Sequence, residues 1–108
     1  MPESSQRGAL TEAVLYILLS LYTPLHGYGI MQKVDELSHG RVNLGAGTLY
    51  GAINTLLDKG WIIPLAGEMD SRRKEYTITE AGKEIVAIEL IRLQELLENG
   101  RMVIGGSI

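Results

Sequence analysis

The stretch Leu44-Gly45-Ala46-Gly47-Thr48-Leu49-Tyr50, which runs on to Lys59-Gly60-Trp61-Ile62-Ile63, decides how the rest of the chain is read. Leu49, Ile53, Leu56 and Leu57 recur at helical spacing, so residues 45–58 are predicted to form a helix with one apolar face. Its opposite face carries Thr48, Gly51, Asn54 and Thr55. Glycine is an acceptable residue at the helix entry. Lys59-Gly60 is a stop signal, with a cation at the negative helix end and a glycine just after it. Trp61 to Leu65 is aromatic and β-branched enough for a strand, and Pro64 confines that strand to a sheet edge or an early ladder position.

Downstream, Gly67 and Asp70 mark a turn over residues 66–71, and Arg72 to Ile78 reads as the return strand with Tyr76 and Ile78 on one face. Thr79-Glu80 opens a last helix with a hydroxyl cap and a carboxylate in the positive first turn. Val86, Leu90, Leu93 and Leu97 repeat with a 4-3-4 spacing, flanked by Glu89, Arg92, Glu95 and Glu98, which is close to a two-heptad coiled-coil seam. Asn99-Gly100 is read as its end. Upstream, Leu10, Val14, Ile17 and Leu21 show the same spacing, and Leu15, Leu18 and Leu19 widen that face beyond one stripe. His26-Gly27-Tyr28-Gly29 opens a second helix with Ile30, Val34 and Leu37 inward, and Gly40 is placed to stop it. His26 is assigned to capping that helix or touching a phosphate.

The predicted order is helix, helix, helix, strand, strand, helix. Short local connections satisfy it as a mainly α (α+β) winged helix-turn-helix with an added C-terminal dimerisation helix. The expected divisions are a flexible N-terminus over 1–9, a DNA-binding domain over 10–79, a dimerisation helix over 80–99 and a flexible tail over 100–108. Leu10, Val14, Ile17 and Leu18 of the first helix and Val86, Leu90, Leu93 and Leu97 of the last are the expected dimer interface. Two-fold symmetry would set two reading helices about 34 Å apart, one turn of DNA, on a pseudo-palindromic operator.

At 108 residues the chain suits one domain, and with no cysteine it has neither disulfides nor thiolate chemistry. The longest apolar run, Ala13 to Leu19, is about a third of a membrane span, so a soluble cytoplasmic protein without membrane contact is expected. The net charge of −3 counts against indiscriminate phosphate binding. Its distribution is uneven: residues 38–79 carry 5 basic and 4 acidic side chains, whereas the flanking segments are each more acidic than basic. The middle segment also holds the run Arg72-Arg73-Lys74. Such a protein would accept DNA at one surface only. A winged helix used for protein–protein contact without DNA is the alternative that the acidic charge leaves open. Catalysis finds no support, because there is no glycine elbow with a Ser-His-acid order and no nucleotide-type phosphate loop. His26 and His39 have no second pair of ligands near them, and no metal or cofactor is expected.

Four segments in this order and spacing resemble the PadR family of bacterial transcriptional regulators: His26-Gly27-Tyr28-Gly29-Ile30, Leu44 to Tyr50, Lys59-Gly60-Trp61-Ile62, and Arg72 to Gly82. The resemblance covers roughly residues 10 to 98. It implies a homodimer that binds operator double-stranded DNA, usually as a repressor, with one C-terminal helix for dimerisation. It also implies a small apolar or aromatic effector, since some short members release DNA on binding such molecules. By resemblance the helix from Gly45 is the recognition helix, with Gly47, Thr48 and Tyr50 toward the backbone or groove and Arg72, Arg73 and Lys74 on the wing. Tyr28 and Asn54 complete the expected DNA-facing set; asparagine pairs with adenine in a major groove. Two features depart from the family pattern. Gly45-Ala46 stands where many members have Ser-Pro, and the only tryptophan, Trp61, lies at the wing rather than on the last helix. With no arginine on the reading helix, base readout is expected to be sparse, and DNA shape and water to carry more of the choice.

Overall fold

Each of the expected helices forms, and three of the four begin on a side chain that the sequence supplies for the purpose. Residues 8–65 and 74–105 are described by a computed structural model. Helix α1 spans Glu12–Ser20, strand β1 Leu25–His26, α2 Gly27–Leu37, α3 Ala46–Lys59, β2 Ile62–Pro64, β3 Glu75–Ile78 and α4 Glu80–Ile104. The Thr11 hydroxyl accepts from the Val14 N–H at 3.1 Å, His26 Nδ1 from Gly29 at 3.2 Å, and the Thr79 hydroxyl from Gly82 at 3.1 Å. Each bond satisfies one of the donors that a helix start leaves orphaned. His26 is thus a cap. Helix α3 is the exception: Gly45 gives it no side-chain cap.

The sheet is three-stranded and antiparallel, in the order β1-β3-β2. Strand β2 is an edge, which suits Pro64, and pairs Ile62 with Ile78 and Ile63 with Thr77. Strand β1 is an addition to the expected order. It is two residues long, pairing Leu25 with Tyr76 and His26 with Glu75, and two residues carry no alternation to read. It ties the start of α2 to the wing. The chain between β2 and β3, with its expected turn and Arg72 and Arg73, lies outside the described residues.

Helix α4 does not end at Asn99, so the expected boundaries of 80–99 and 100–108 are corrected. It continues to Ile104, where Gly105 adopts φ 85° and its N–H bonds to the Arg101 carbonyl. An interior glycine such as Gly100 lowers helix stability by about 1 kcal/mol but does not stop a helix whose neighbours continue it. The left-handed turn at Gly105 does.

One core joins all of these elements. Ile17, Leu18 and Leu21 of α1 and its cap meet Ile30 and Val34 of α2, Leu49, Ile53 and Leu56 of α3, Ile62, Tyr76 and Ile78 of the sheet, and Val86 of α4. Helix α4 is fixed at one corner. Thr79 Oγ1 donates to the Gly60 carbonyl at 2.7 Å, and the Thr79 N–H bonds to the Trp61 carbonyl at 3.0 Å. Gly82 lies so close to this corner that a Cβ there would fall 2.2 Å from the Trp61 carbonyl oxygen and 2.7 Å from Ile78.

Two glycine-to-alanine changes should therefore act in opposite directions. Gly51→Ala, in α3 with nothing within 4 Å of the added carbon, should stabilise the fold by about 0.5–1 kcal/mol. Gly82→Ala has the same helical gain but meets backbone, and overpacking of about 1–3 kcal/mol should leave a net loss. Urea denaturation of both variants measures the two signs.

Candidate nucleic-acid interface

Helix α3 is held by Leu49, Ile53 and Leu56, each 2% exposed or less. That anchoring turns Gly47, Thr48, Gly51, Asn54 and Thr55 outward, and all five are exposed. Asn54, Thr48 and Gly47 thus share the outer surface expected of them. No charged side chain occurs from Ala46 to Leu57. The surface is neutral and low, with glycines at positions 47 and 51, one helical turn apart, so another backbone can approach it closely. At its start the first-turn amides point outward with no side-chain cap across them, an arrangement that suits an anionic oxygen. The Thr55 hydroxyl is turned back onto the Gly51 carbonyl at 3.2 Å, which leaves Asn54 as the longer polar group on this face.

Tyr50 lies half-buried at the rim of the core. Its hydroxyl end does not point away from the domain but lies over the first residue of α2: a Cβ on Gly27 would sit 2.1 Å from the Tyr50 Oη. Tyr50 therefore joins α3 to the start of α2, and Gly27 is the seat that admits it. The buried Tyr76 is close by, and its pKa is raised, first by burial and then by Tyr50. Tyr28, one residue along α2, is 62% exposed. Its hydroxyl accepts from the Gln32 amide at 3.4 Å. The β1–β3 register pairs His26 with Glu75, so the start of α2 lies beside the start of β3, which Lys74 directly precedes. Tyr28 thus lies exposed near the start of α2, and Lys74 directly precedes β3. Lys59 lies over the Trp61 ring at 5.2 Å and so belongs to the α3–β2 corner.

The expected dimer residues divide into two groups. Ile17, Leu18 and Val86 are 0%, 0% and 3% exposed and belong to the core of their own subunit, which leaves nothing of them for a partner to cover. The apolar surface of α1 is consumed internally at these positions, and the sequence spacing does not distinguish the two uses. Leu10 and Val14 are half-buried against the core. Leu90, Leu93 and Leu97 remain exposed at 47%, 38% and 39%. Beyond them Met102, Val103 and Ile104 are exposed as well, on the stretch of about one and a half turns by which α4 exceeds its expected length.

Glu89, expected to flank the seam, is buried, at 4% exposure. Its carboxylate accepts from Arg92 Nε at 2.9 Å and Nη2 at 2.6 Å, and from the Leu10 N–H at 3.3 Å. The forked Arg92 bonds hold its carboxyl below the usual range; burial opposes this, and the Leu10 N–H assists it. Glu89 and Arg92 border an open groove of about 510 Å³ between α1 and α4, floored by Leu10, Leu15, Tyr16, Leu19 and Leu93. Arg41, paired with Glu12, forms its other rim. Among the described residues no cluster of three potential metal ligands occurs, and no helix is long and apolar enough to cross a membrane.

A three-helix core, a small antiparallel sheet and a third helix with an uncharged outer face define a winged-helix fold of the kind carried by DNA-binding transcriptional regulators. The chain belongs to the transcriptional regulator PadR-like family, whose profile matches residues 14–88. A PadR family transcription regulator from Clostridium difficile R20291 superposes with a TM-score of 0.71 at 25% identity, covering 85% of this chain and 97% of that one. A PadR family regulator from Eggerthella lenta gives 0.64 at 23% identity over 88% and 82% of the two chains. RosR of H. salinarum gives 0.65 at 23% over 92% and 96%. At 23% identity the latter two speak for the fold alone. An uncharacterised 37.1 kDa protein of a Streptomyces fradiae transposon is 37% identical over 79 residues; the match spans 72% of this chain but 22% of that protein.

Because Glu89 ionises more readily in the folded state, its contribution is present above about pH 4.5 and is lost as the pH falls through its lower folded value. Glu89→Gln should lower stability at pH 7 by about 1–3 kcal/mol, the range for hydrogen bonds to a charged group with a buried partner. The gap between wild type and variant should close as the pH falls below about 4.5. Chemical denaturation of both proteins across that range reads it directly.

Proposed function

We propose that the protein is a homodimeric, sequence-specific transcriptional repressor that sets α3 in the major groove of an operator. The observation that carries this reading is the uncharged, glycine-lowered outer face of α3, fixed in place by three buried side chains. Gly47 and Thr48 would meet a phosphate at the start of α3, and Asn54 would read a base. Tyr28 and Lys74, with Arg72 and Arg73, would grip the flanking backbone. Tyr50 serves this site through α2, as a positioning residue. Two subunits joined by the exposed leucines of α4 would place their reading helices about one DNA turn apart.

The α1–α4 groove supports the second part of the proposal. A small apolar or aromatic effector seated there would touch the two helices whose angle sets the spacing of the reading heads, and so lower operator affinity by coupling. Cytoplasmic residence accompanies a regulator of this kind.

Selection of binding sites from random duplexes, followed by salt titration, tests the DNA reading. Log affinity should fall linearly with log salt, and replacing Arg72, Arg73 and Lys74 by alanine should flatten the slope by about 0.9 for each phosphate no longer neutralised. Asn54→Ala should cost about 1–3 kcal/mol on the selected site, relaxing preference at one base pair and leaving the salt slope unchanged. Absence of binding at low salt would reject the reading in favour of a protein–protein module.

A further inference from the structure

His26 belongs to two elements at once. It is the last residue of β1, paired across the ladder with Glu75, and it is the cap of α2, where its Nδ1 accepts from the Gly29 N–H at 3.2 Å. The caps of α1 and α4 are threonines, whose hydroxyls accept at any pH. Histidine changes charge between about pH 5 and 8. The helix that carries Tyr28 and seats Tyr50 thus begins on a titratable group.

An Nδ1 that accepts a hydrogen bond bears no proton, so the capping ring is neutral with its hydrogen on Nε2. Protonation sets a second N–H against the Gly29 N–H. Two donors then face each other, and a positive charge stands at the positive end of α2. The charged ring has another partner at hand. Directly opposed residues on antiparallel strands have Cβ atoms about 4.5–5.5 Å apart, and opposite charges there stabilise the pair. Glu75 is the opposed residue, and both side chains are half-buried. The other ionisable groups around this point are Lys74 directly before Glu75, Tyr76 directly after it, Tyr28 two residues along α2, and Tyr50, which reaches Gly27 from α3. Among these described groups Glu75 alone favours a charged ring, and Lys74 opposes it.

We propose that His26 is a positioning residue with two settings. Neutral, it caps α2 and holds Gly27, the next residue, under the Tyr50 ring. Charged, it leaves the cap for Glu75, the first turn of α2 frays, and α3 loses its seat there. The inference rests on the DNA-binding reading and goes beyond it by making affinity depend on one proton. Neutral His26 is the binding form, so affinity is full above the range in which the ring titrates and falls as the pH drops through it.

The test has two readouts. Nitrogen NMR of the free protein follows the His26 ring and the Gly29 amide from about pH 8 to about pH 5.5. Fluorescence anisotropy at fixed salt gives the affinity of wild type, His26→Asn and Glu75→Gln for the duplex recovered by selection. Asparagine caps a helix through an oxygen that does not titrate. The Gly29 amide should shift together with the ring. Wild-type affinity should fall about fivefold across the range, the typical worth of a cap, and that of His26→Asn, whatever its level, by less than about twofold. His39, the other histidine, lies beyond the far end of α2 and contributes to both proteins alike. Glu75→Gln should move the fall to lower pH, because the charged ring has lost its partner.

A ring that titrates while the Gly29 amide stays in place would overturn the exchange. So would a wild-type affinity that rises at low pH where that of His26→Asn does not, which would make the charged ring a phosphate contact. Equal pH profiles for the two proteins would leave His26 no part in positioning. Each of these results leaves the DNA-binding reading standing. A wild type that binds no duplex at low salt at any pH removes that reading and the positioning role together.

Discussion

The structure depends on the Thr79 hydroxyl. One oxygen donates to the Gly60 carbonyl, where α3 ends, and accepts from the Gly82 N–H, where α4 begins. It thereby satisfies an orphan carbonyl and an orphan amide at the same point. The geometry works only because both flanking positions are glycine: Gly60 takes φ 76° to turn the chain into β2, and Gly82 lets α4 lie against the Trp61 carbonyl. Without this corner the third and fourth helices would be joined only through the shared apolar core and the sheet. With it, the element proposed to read DNA and the element proposed to join subunits form one body.

A similar economy governs the other end of α3. Its reading face has no cation and no side-chain cap, so precise placement must come from packing. Tyr50 seated on Gly27 provides part of that placement, and the pairing of His26 with Glu75 provides more by fixing the start of α2 against β3. The cost of holding its uncharged stretch, Ala46 to Leu57, near a polyanion is low, since no charge there must be desolvated without a partner. This bears on how a chain with net charge −3 could still accept DNA at one surface: acidic side chains outnumber basic ones before residue 38 and after residue 79, but not between them.

The helices are legible because their signals are local. Thr11, His26 and Thr79 announce starts, Gly60 announces a stop, and the apolar spacing marks each inner face. Features set by tertiary context are not legible. Strand β1 is too short to show a period. The helical spacing of Ile17, Leu18 and Val86 shows that they are covered but not whether by their own subunit. Gly100 resembles a terminator because sequence alone cannot separate a glycine that ends a helix from one carried inside it. Glu89 resembles a solvated flank because its partners, Arg92 and the distant Leu10 N–H, become apparent only when α1 and α4 are packed. The proposed DNA-contacting residues divide in the same way: the outward position of Asn54 follows from periodicity, whereas the placing of the start of α2 beside β3 follows from strand register.

Helix α4 is 25 residues long, and only its first half touches the subunit body. At about 1.5 Å per residue it is a rod of roughly 37 Å, clamped at one end to the corner below α3. A rigid rod clamped in this way is a lever. A rotation of about 5° at its far end moves the clamped end, and whatever rides on it, by roughly 3 Å, close to the rise of one base pair. Small adjustments among the exposed leucines would thus be magnified into whole steps of register along a duplex.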